Sequence, residues 1–266
     1  MKKFWGFLLV IVLMTSCGEY QSLLKSNDYN LVYKKAIEYY NKGDYQRAMN
    51  LLDGVRSVFV GQAKAQNIAY YRAFCSYNMK DYQIASDLFK QFIQTYPESS
   101  FAEECLYMMG FCDYKASPKP RLDQQVTEKA IREFQLYLSR YPYSMRKDKV
   151  NTYMDEMRDK LSYKAYLSAK NYYLREHYKA AVISLQNCLK DYPGSKYGEE
   201  IMYMMFVSKY QMAVNSVEDK KVERYNNARE EYYYFADEYP NSRYAADVKK
   251  MYEDIEAYLE NYKFED

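Results

Sequence analysis

Few side chains in this sequence are of the types that usually carry chemistry. It contains five cysteines and a single histidine, His177. Four of the cysteines lie in apolar helical patterns, at Cys75, Cys105, Cys112 and Cys188. No two of them have the Cys-x-x-Cys spacing, and one histidine adds little to a zinc site. We therefore expect four buried free thiols and no metal site, with one disulfide or a metal site as the alternatives.

Two pairs of adjacent acids, Glu103-Glu104 and Glu199-Glu200, are the other candidates for chemistry, as a general acid and base. Such pairs are also typical of the first turn of a helix, where they favour the positive end of its dipole. We expect this structural role here, and a surface turn position for His177. The sequence has no GxSxG, Walker, GxGxxG or HExxH motif. It predicts no catalytic residue, no cofactor and no enzyme.

Cys17 stands in a different context, because it follows a three-part export signal. Two lysines precede an apolar run from Phe4 to Met14, which is too short to span a bilayer as a helix, and the small pair Thr15-Ser16 follows. The segment that ends at Cys17 resembles a lipobox. This resemblance implies cleavage after residue 16 and lipidation of Cys17, palmitate included, with an ordinary signal peptide as the alternative. Gly18 and Glu19 come next, so nothing resembles an inner-membrane retention signal, and we expect an outer-membrane anchor facing the periplasm.

The charge balance of the remaining chain excludes several classes of partner. Cleavage would remove two of the 38 basic residues and none of the 36 acidic ones. Nucleic-acid binding needs a concentrated basic footprint, as does electrostatic binding to an anionic membrane. No later apolar run reaches the length of about 18 residues that marks a membrane span. We expect no nucleic-acid partner and no membrane contact besides the lipid.

An internal repeat runs through the rest of the chain. Four Tyr-Pro pairs begin at Tyr96, Tyr141, Tyr192 and Tyr239, and serine follows each proline by two positions. An alanine precedes each of these tyrosines by eleven positions, at Ala85, Ala130, Ala181 and Ala228. Ala48, with Phe59 eleven positions later, adds an earlier copy. The pattern predicts five copies of one structural unit.

Each copy predicts a helical hairpin. From Tyr82 to Tyr96 the apolar residues recur in steps of three and four, as on one face of an amphipathic helix. Proline stops that helix, and the serine after it can accept a hydrogen bond from a free N–H group of the next. Gly43 marks the turn inside the first hairpin, at a left-handed helix end. The stretch from Ser144 to Glu176 holds no helix breaker and predicts one helix of about twice the usual length.

The fold class is therefore all-α: a right-handed superhelix of five tetratricopeptide-like hairpins with a C-terminal capping helix at 245–262. We expect residues 1–16 to be the signal peptide and 17–28 the lipidated N-terminus with a linker. The repeat domain would then cover 29–266, with N-terminal repeats at about 29–142 and C-terminal repeats at about 143–262. A loop at 117–123, which contains two prolines, accounts for part of the excess over the usual repeat length of ~34 residues.

The lipobox, the five repeats and the Ser-Pro…Leu-Asp-Gln loop at 117–124 together resemble the BamD family, lipoproteins of the BAM complex, the machine that folds β-barrels into the outer membrane. The resemblance covers residues 17 to about 260. It implies a non-enzymatic scaffold with two binding surfaces. The first would bind C-terminal peptides of unfolded outer-membrane proteins in a concave pocket, lined here by Tyr39, Tyr40, Tyr70, Tyr71 and Tyr77. The second would dock on the periplasmic domains of a BamA-like barrel protein.

The second surface would lie near Arg175, Tyr178 and Ser184. A basic contact of some relatives falls on Ser184, so the docking chemistry departs from theirs. The tyrosines have an alternative role in packing between repeats. The alternative function is a different periplasm-facing tetratricopeptide lipoprotein, an adaptor in envelope division or peptidoglycan coordination.

Overall fold

The computed structural model describes residues 18–262, and all regular elements in that range are helices. The signal segment and Cys17 lie outside the described residues. Residues 18–24 form α1. The helices that follow are α2 (Tyr29–Asn41), α3 (Tyr45–Val55), α4 (Ala63–Asn78), α5 (Tyr82–Thr95), α6 (Ala102–Ala116), α7 (Gln125–Arg140), α8 (Lys147–Leu174), α9 (Tyr178–Asp191), α10 (Gly198–Val214), α11 (Glu218–Glu238) and α12 (Ala245–Tyr262). Among these described helices, none combines the length and apolar character that crossing a bilayer requires.

Helices α2 to α11 form five consecutive hairpins of the tetratricopeptide type, followed by α12, as the sequence predicts. The stretch between Ser144 and Glu176 is a single helix, α8, of 28 residues. The loop with two prolines separates α6 from α7. The five repeat alanines are all completely buried, at Ala48, Ala85, Ala130, Ala181 and Ala228. Their lack of a larger side chain permits the close contacts expected within each hairpin.

The Tyr-Pro-x-Ser sequences end one helix and begin the next. Helices α5, α7, α9 and α11 each end directly before the tyrosine, whose N–H donates to the carbonyl four positions back at 2.8–3.0 Å. The serine N–H then donates to the tyrosine carbonyl at 3.0–3.1 Å. The serine Oγ accepts from the N–H two positions later, at 3.0–3.3 Å in all four turns. The serine therefore stabilises the turn, but the expected role as the cap of the next helix is not found, because Phe101 and Tyr197 occupy the N-cap positions of α6 and α10.

Three of the turns within hairpins use the same left-handed backbone position. Gly43 has φ +81°, as predicted, and Lys80 and Glu176 stand in the same place with φ of +68° and +60°. Residues with a Cβ adopt this conformation at a cost, because Cβ approaches the following carbonyl. Hydrogen bonds of 3.0 Å from Asp44, Asp81 and His177 to carbonyls of the preceding helix close these turns.

The chain divides into two compact units. The first comprises residues 18–118 and 123–157, and the second comprises 119–122 and 158–262. The division falls within α8. Two buried clusters fill the first unit, one around Leu52 and Ile68 and one around Phe89 and Phe134.

The second unit also contains two buried clusters. In one, Ala169 of α8 packs with Leu185 of α9 and Ile201 of α10. In the other, Ile255 and Leu259 of α12 pack with Phe206 and Phe235. The opposite face of α12 is exposed, as the predicted capping role requires.

Part of the segment that the sequence indicates as a linker is packed onto the first hairpin. Tyr20 and Leu23 of α1 are buried in the same cluster as Leu52. The Tyr20 hydroxyl accepts a hydrogen bond of 3.0 Å from the Asn50 side chain. Residues 25–28 are the part that lies between α1 and α2.

The two units contain copies of one segment. The sequence shows this likeness after Phe101 and Tyr197, and the structure extends it to both flanks. Tyr166 follows Tyr70 by 96 positions, and the same interval relates the left-handed residues Lys80 and Glu176. From α7 and α11 onward the interval is 98, as between Ala130 and Ala228. Positions in the two units can therefore be compared directly.

Candidate functional site

A groove of about 510 Å³ lies between α2, α4 and the residue before α6 in the first unit. We call it the first groove; it is lined by Tyr33, Lys34, Ile37, Glu38, Asn41, Asn67, Tyr70, Tyr71 and Phe101. Its α2 wall consists of residues four positions apart, which share one face of that helix. The walls are mainly aromatic and aliphatic, and the two asparagines add groups that can hydrogen-bond a backbone. Such a surface suits an extended peptide with apolar side chains.

Aromatic rings form a continuous series along this groove. The Tyr70 ring centroid lies 4.5 Å from that of Phe101 and 5.5 Å from that of Tyr71. The Tyr71 ring in turn lies 4.9 Å from Tyr40, which packs 5.5 Å from Tyr45. The edge-to-face and tilted geometries are those that aromatic pairs prefer. The series therefore holds each ring in a defined orientation.

Hydrogen bonds fix the phenol groups of this series. The Tyr70 hydroxyl donates to Oε2 of Glu104 at 2.9 Å, and burial together with this carboxylate raises the Tyr70 pKa well above its usual value. Burial raises the pKa of Tyr40 to about 12. Both phenols therefore stay neutral at physiological pH. Glu104 and Glu103 lie in the first turn of α6, and Glu199 and Glu200 lie in that of α10, as expected.

The structure brings together only some of the five tyrosines that the sequence assigned to a peptide pocket. Tyr70 and Tyr71 line the first groove, and Tyr40 lies behind Tyr71. Tyr39 instead packs 5.9 Å from the Tyr20 ring of α1. Tyr77 lies 6.2 Å from Phe111 in a different cluster. Neither Tyr39 nor Tyr77 lines the groove.

Several lining residues were not identified from the sequence. Tyr33, Ile37 and Asn41 recur at intervals of four in α2, a spacing that marks one helix face. Phe101 lies outside any helix interior, and no local pattern connects it with α4. Only the packing of α6 beside α4 places its ring against Tyr70.

The predicted partner-binding residues lie at the turn between α8 and α9. His177, Tyr178, Lys179, Ala180 and Ile183 line a shallow depression of about 490 Å³ there. Arg175 is exposed in the turn, and Ser184 is half-buried next to the exposed Ile183. Tyr178 thus lines the depression, whereas Arg175 and Ser184 flank it.

Exposed apolar side chains extend this surface along α8. Leu174 is 66% exposed and Tyr172 is 43% exposed, both in the last turn of α8, and these fractions are high for large apolar side chains. Exposed apolar residues next to a basic side chain such as Arg175 are typical of protein-binding surfaces.

Within residues 18–262 no group of three potential metal ligands occurs. Cys75, Cys105, Cys112 and Cys188 are buried free thiols, in agreement with the sequence-based expectation. Burial raises the pKa of both Cys75 and Cys105 to about 12, so these thiols are poor nucleophiles. His177 is exposed in the turn before α9, as expected.

Comparison with known proteins identifies one family. The family model described as "YfiO: Outer membrane lipoprotein" matches residues 25–223 and 164–265. Among curated proteins, none matches the sequence.

Several solved structures are similar to the chain at low identity. A TPR repeats protein from Bacteroides fragilis NCTC 9343 is 12% identical, with a TM-score of 0.41 over 87% of this chain and 99% of that one. The TPR2AB domain of yeast Sti1, in a pHSP90 complex, is 13% identical, with a TM-score of 0.38 over 86% and 98%. A human IFIT1 dimer with PPP-AAAA is 18% identical, with a TM-score of 0.30 over 94% and 63%.

Proposed function

Because this chain belongs to the YfiO family of outer membrane lipoproteins, also known as the BamD family, we propose that it is a non-enzymatic scaffold of the BAM complex. In this role it binds the periplasmic domains of a BamA-like barrel protein and the C-terminal peptides of unfolded outer-membrane proteins. Lipid on Cys17 anchors it to the outer membrane, facing the periplasm. Tandem helical hairpins suit this role, since they present extended surfaces to other proteins.

The observation that carries the peptide-binding part is the series of rings along the first groove. Strands of outer-membrane barrels carry aromatic girdles, and an aromatic residue of the cargo could pack between Tyr71 and Phe101. The asparagines at 41 and 67 are placed to hydrogen-bond the backbone of an extended chain. Lys34 offers a positive charge for a terminal carboxylate at the same edge.

A matched pair of variants in α4 tests this assignment. Tyr70 and Tyr77 are half-buried tyrosines of the same helix, and only Tyr70 lines the first groove. Tyr70→Ala should weaken binding of a labelled barrel C-terminal peptide by about tenfold or more, as expected for loss of an aromatic anchor. Tyr77→Ala should leave that affinity nearly unchanged, and Tyr70→Phe should retain most of it.

Peptide affinity and melting temperature should be measured on the same samples. Both alanine variants lose ring packing and should melt at lower temperature, so only a difference in peptide affinity supports the groove. Equal affinities for Tyr70→Ala and Tyr77→Ala would assign the rings to packing between hairpins.

Docking on the barrel protein can be tested in native membranes. Arg175→Glu combined with Tyr178→Ala should reduce co-purification of the BamA-like protein, because the change places an acid and a cavity in the proposed interface. Lys249→Glu, at an exposed position of α12, is the control. If the wild-type chain brings down division or peptidoglycan proteins without a barrel protein, the adaptor function replaces the one proposed.

A further inference from the structure

The second unit contains a larger groove at the position equivalent to the first. This second groove, of about 710 Å³, lies along the C-terminal half of α8 and next to the start of α10. Tyr163, Tyr166, Leu167 and Tyr197 line it. Each follows a residue of the first groove by 96 positions, namely Asn67, Tyr70, Tyr71 and Phe101. The two grooves therefore occupy equivalent positions in the two units but are lined by different side chains.

Tyrosines form a stacked platform at the base of the second groove. The ring centroids of Tyr166 and Tyr197 lie 4.3 Å apart with an interplanar angle of 12°. Tyr163 continues the stack at 5.4 Å from Tyr197 and 29°. Tyr166 is buried beneath the stack, and the half-buried rings of Tyr163 and Tyr197 offer apolar area to the groove.

Cations distinguish the second groove from the first. Arg121, Lys164 and Lys170 line it, and none of its lining residues within the described chain is acidic. In the first groove, by contrast, Lys34 is accompanied by Glu38. Lys170 takes the place of Phe74, the residue 96 positions earlier that packs 4.6 Å from Tyr70.

Two of these three charges are not neutralised by the protein. Lys170 forms an ion pair of 2.7 Å with Glu200. The Lys164 ammonium donates to the Leu122 carbonyl oxygen at 2.8 Å, which holds the 119–122 loop on α8 and leaves the charge uncompensated. Arg121, in that loop, is exposed and forms no ion pair with a residue of 18–262. A groove lined by two such cations and by an apolar platform attracts carboxylates.

We propose that the second groove binds an extended acidic segment of a partner protein. Arg121 and Lys164 bind its carboxylate side chains, and the tyrosine platform packs against its apolar residues. Ser168 and Asn171, both exposed in the same groove, can hydrogen-bond its backbone. A nucleic acid is the less suitable anion, because two free cations are few for a phosphate backbone and the stacked rings leave no gap for a base.

A short peptide of alternating glutamate and tyrosine, blocked at both ends and labelled with fluorescein, is the probe. The control peptide has the same sequence with glutamine at each glutamate position. Fluorescence anisotropy with the lipid-free chain from residue 18 should show binding of the acidic peptide that weakens as salt increases. Arg121→Ser with Lys164→Gln should weaken it by about tenfold or more. Glutamine removes the charge and keeps an N–H donor for the Leu122 carbonyl, on a side chain one atom shorter.

The control removes the same charge elsewhere. Arg132→Ser with Lys249→Gln changes side chains that are 65% and 71% exposed and form only long i,i+4 ion pairs. This control should bind the acidic peptide within about twofold of the wild type. Tyr70→Ala, in the first groove, should also leave binding of the acidic peptide unchanged. The proposals for the two grooves are therefore tested independently.

Each of the following results would overturn the proposal: no binding of the acidic peptide, equal binding of the glutamine peptide, an equal loss in the control, or stronger binding of oligothymidine than of the peptide. Binding that requires an unblocked C-terminus would also contradict it, because the site would then recognise a chain end.

Discussion

Asp113 of α6 and Lys209 of α10 occupy equivalent positions in the two units and carry opposite charges. Asp113 is 2% exposed, and the Lys129 ammonium lies 2.8 Å from its carboxylate and 3.7 Å from that of buried Glu133. In the second unit Lys209 itself pairs with Glu231, the equivalent of Glu133. The same buried place thus holds two acids and one base in the first unit, but one of each in the second.

This difference predicts a pH dependence that arises in the first unit. Burial, with the neighbouring Asp113, raises the pKa of Glu133 from 4.5 to about 8, against the opposing effects of Lys129 and Lys90. Between these values the folded chain keeps a proton that the unfolded chain loses. The contribution of Glu133 to stability is therefore complete below about pH 4.5 and is lost as the pH rises towards 8.

Glu133→Gln should remove this dependence, since glutamine is neutral at every pH. At pH 8.5 the variant should be more stable than the wild type, on the order of 1 kcal/mol, and the advantage should vanish at pH 5. Urea unfolding at the two pH values measures the difference. Glu231→Gln is the control and should destabilise at both, because it leaves the half-buried Lys209 without its partner. A constant effect of Glu133→Gln across this range would contradict the prediction.

Glycine at the left-handed turn of the fourth hairpin should stabilise the chain. Glu176 has φ +60°, a conformation that costs residues with a Cβ roughly 1–2 kcal/mol, part of which glycine's extra freedom when unfolded offsets. We expect Glu176→Gly to increase the free energy of unfolding by about 0.5–1 kcal/mol, measured by urea titration. Lys179 is the second residue of α9, so Lys179→Gly should instead decrease the free energy of unfolding by a similar amount. A loss of stability in both variants would argue against the turn geometry.

The serines of the Tyr-Pro-x-Ser turns should differ in their importance. Ser144 accepts from the Arg146 N–H and also donates to Oε1 of Glu103 at 2.7 Å. Ser99 accepts from the Phe101 N–H in the same way, and within residues 18–262 its hydroxyl has no side-chain partner. Ser144→Ala should therefore cost about 1.5–3 kcal/mol, against about 0.5–1.5 kcal/mol for Ser99→Ala. Chemical denaturation of both variants provides the comparison, and equal losses would mean that the Glu103 contact contributes little.

Cys17 is predicted to be the lipid attachment site. Cys17→Ala should abolish incorporation of a labelled fatty acid and release the protein from the membrane fraction, because no other cysteine follows an export signal. Cys188→Ala, which changes a buried thiol, should leave both labelling and fractionation unchanged. Retained labelling of Cys17→Ala would disprove the assignment.

The sequence was sufficient to predict the helices of the five hairpins and α12, but not α1. Proline after Tyr96, serine at Ser99 and alanine at Ala85 act on backbone groups or on the other helix of the same hairpin, so their effects are local. Because each repeat is built from local contacts, it can be recognised from the spacing of these residues along the chain. The hairpin type follows from that spacing, and the length of α8 follows from the lack of a helix breaker between Ser144 and Glu176.

Only the tertiary structure decided which side chains meet. Tyr39 and Tyr40 are neighbours on α2, yet one packs against α1 and the other against Tyr71, because ring direction depends on helices that lie elsewhere in the chain. Contacts between different elements also decide three other features. These are the burial of α1, the ring series from Tyr40 to Phe101, and the cations that line the second groove together with the tyrosines. Each depends on residues that are distant along the chain, and a spacing within one helix carries no information about them.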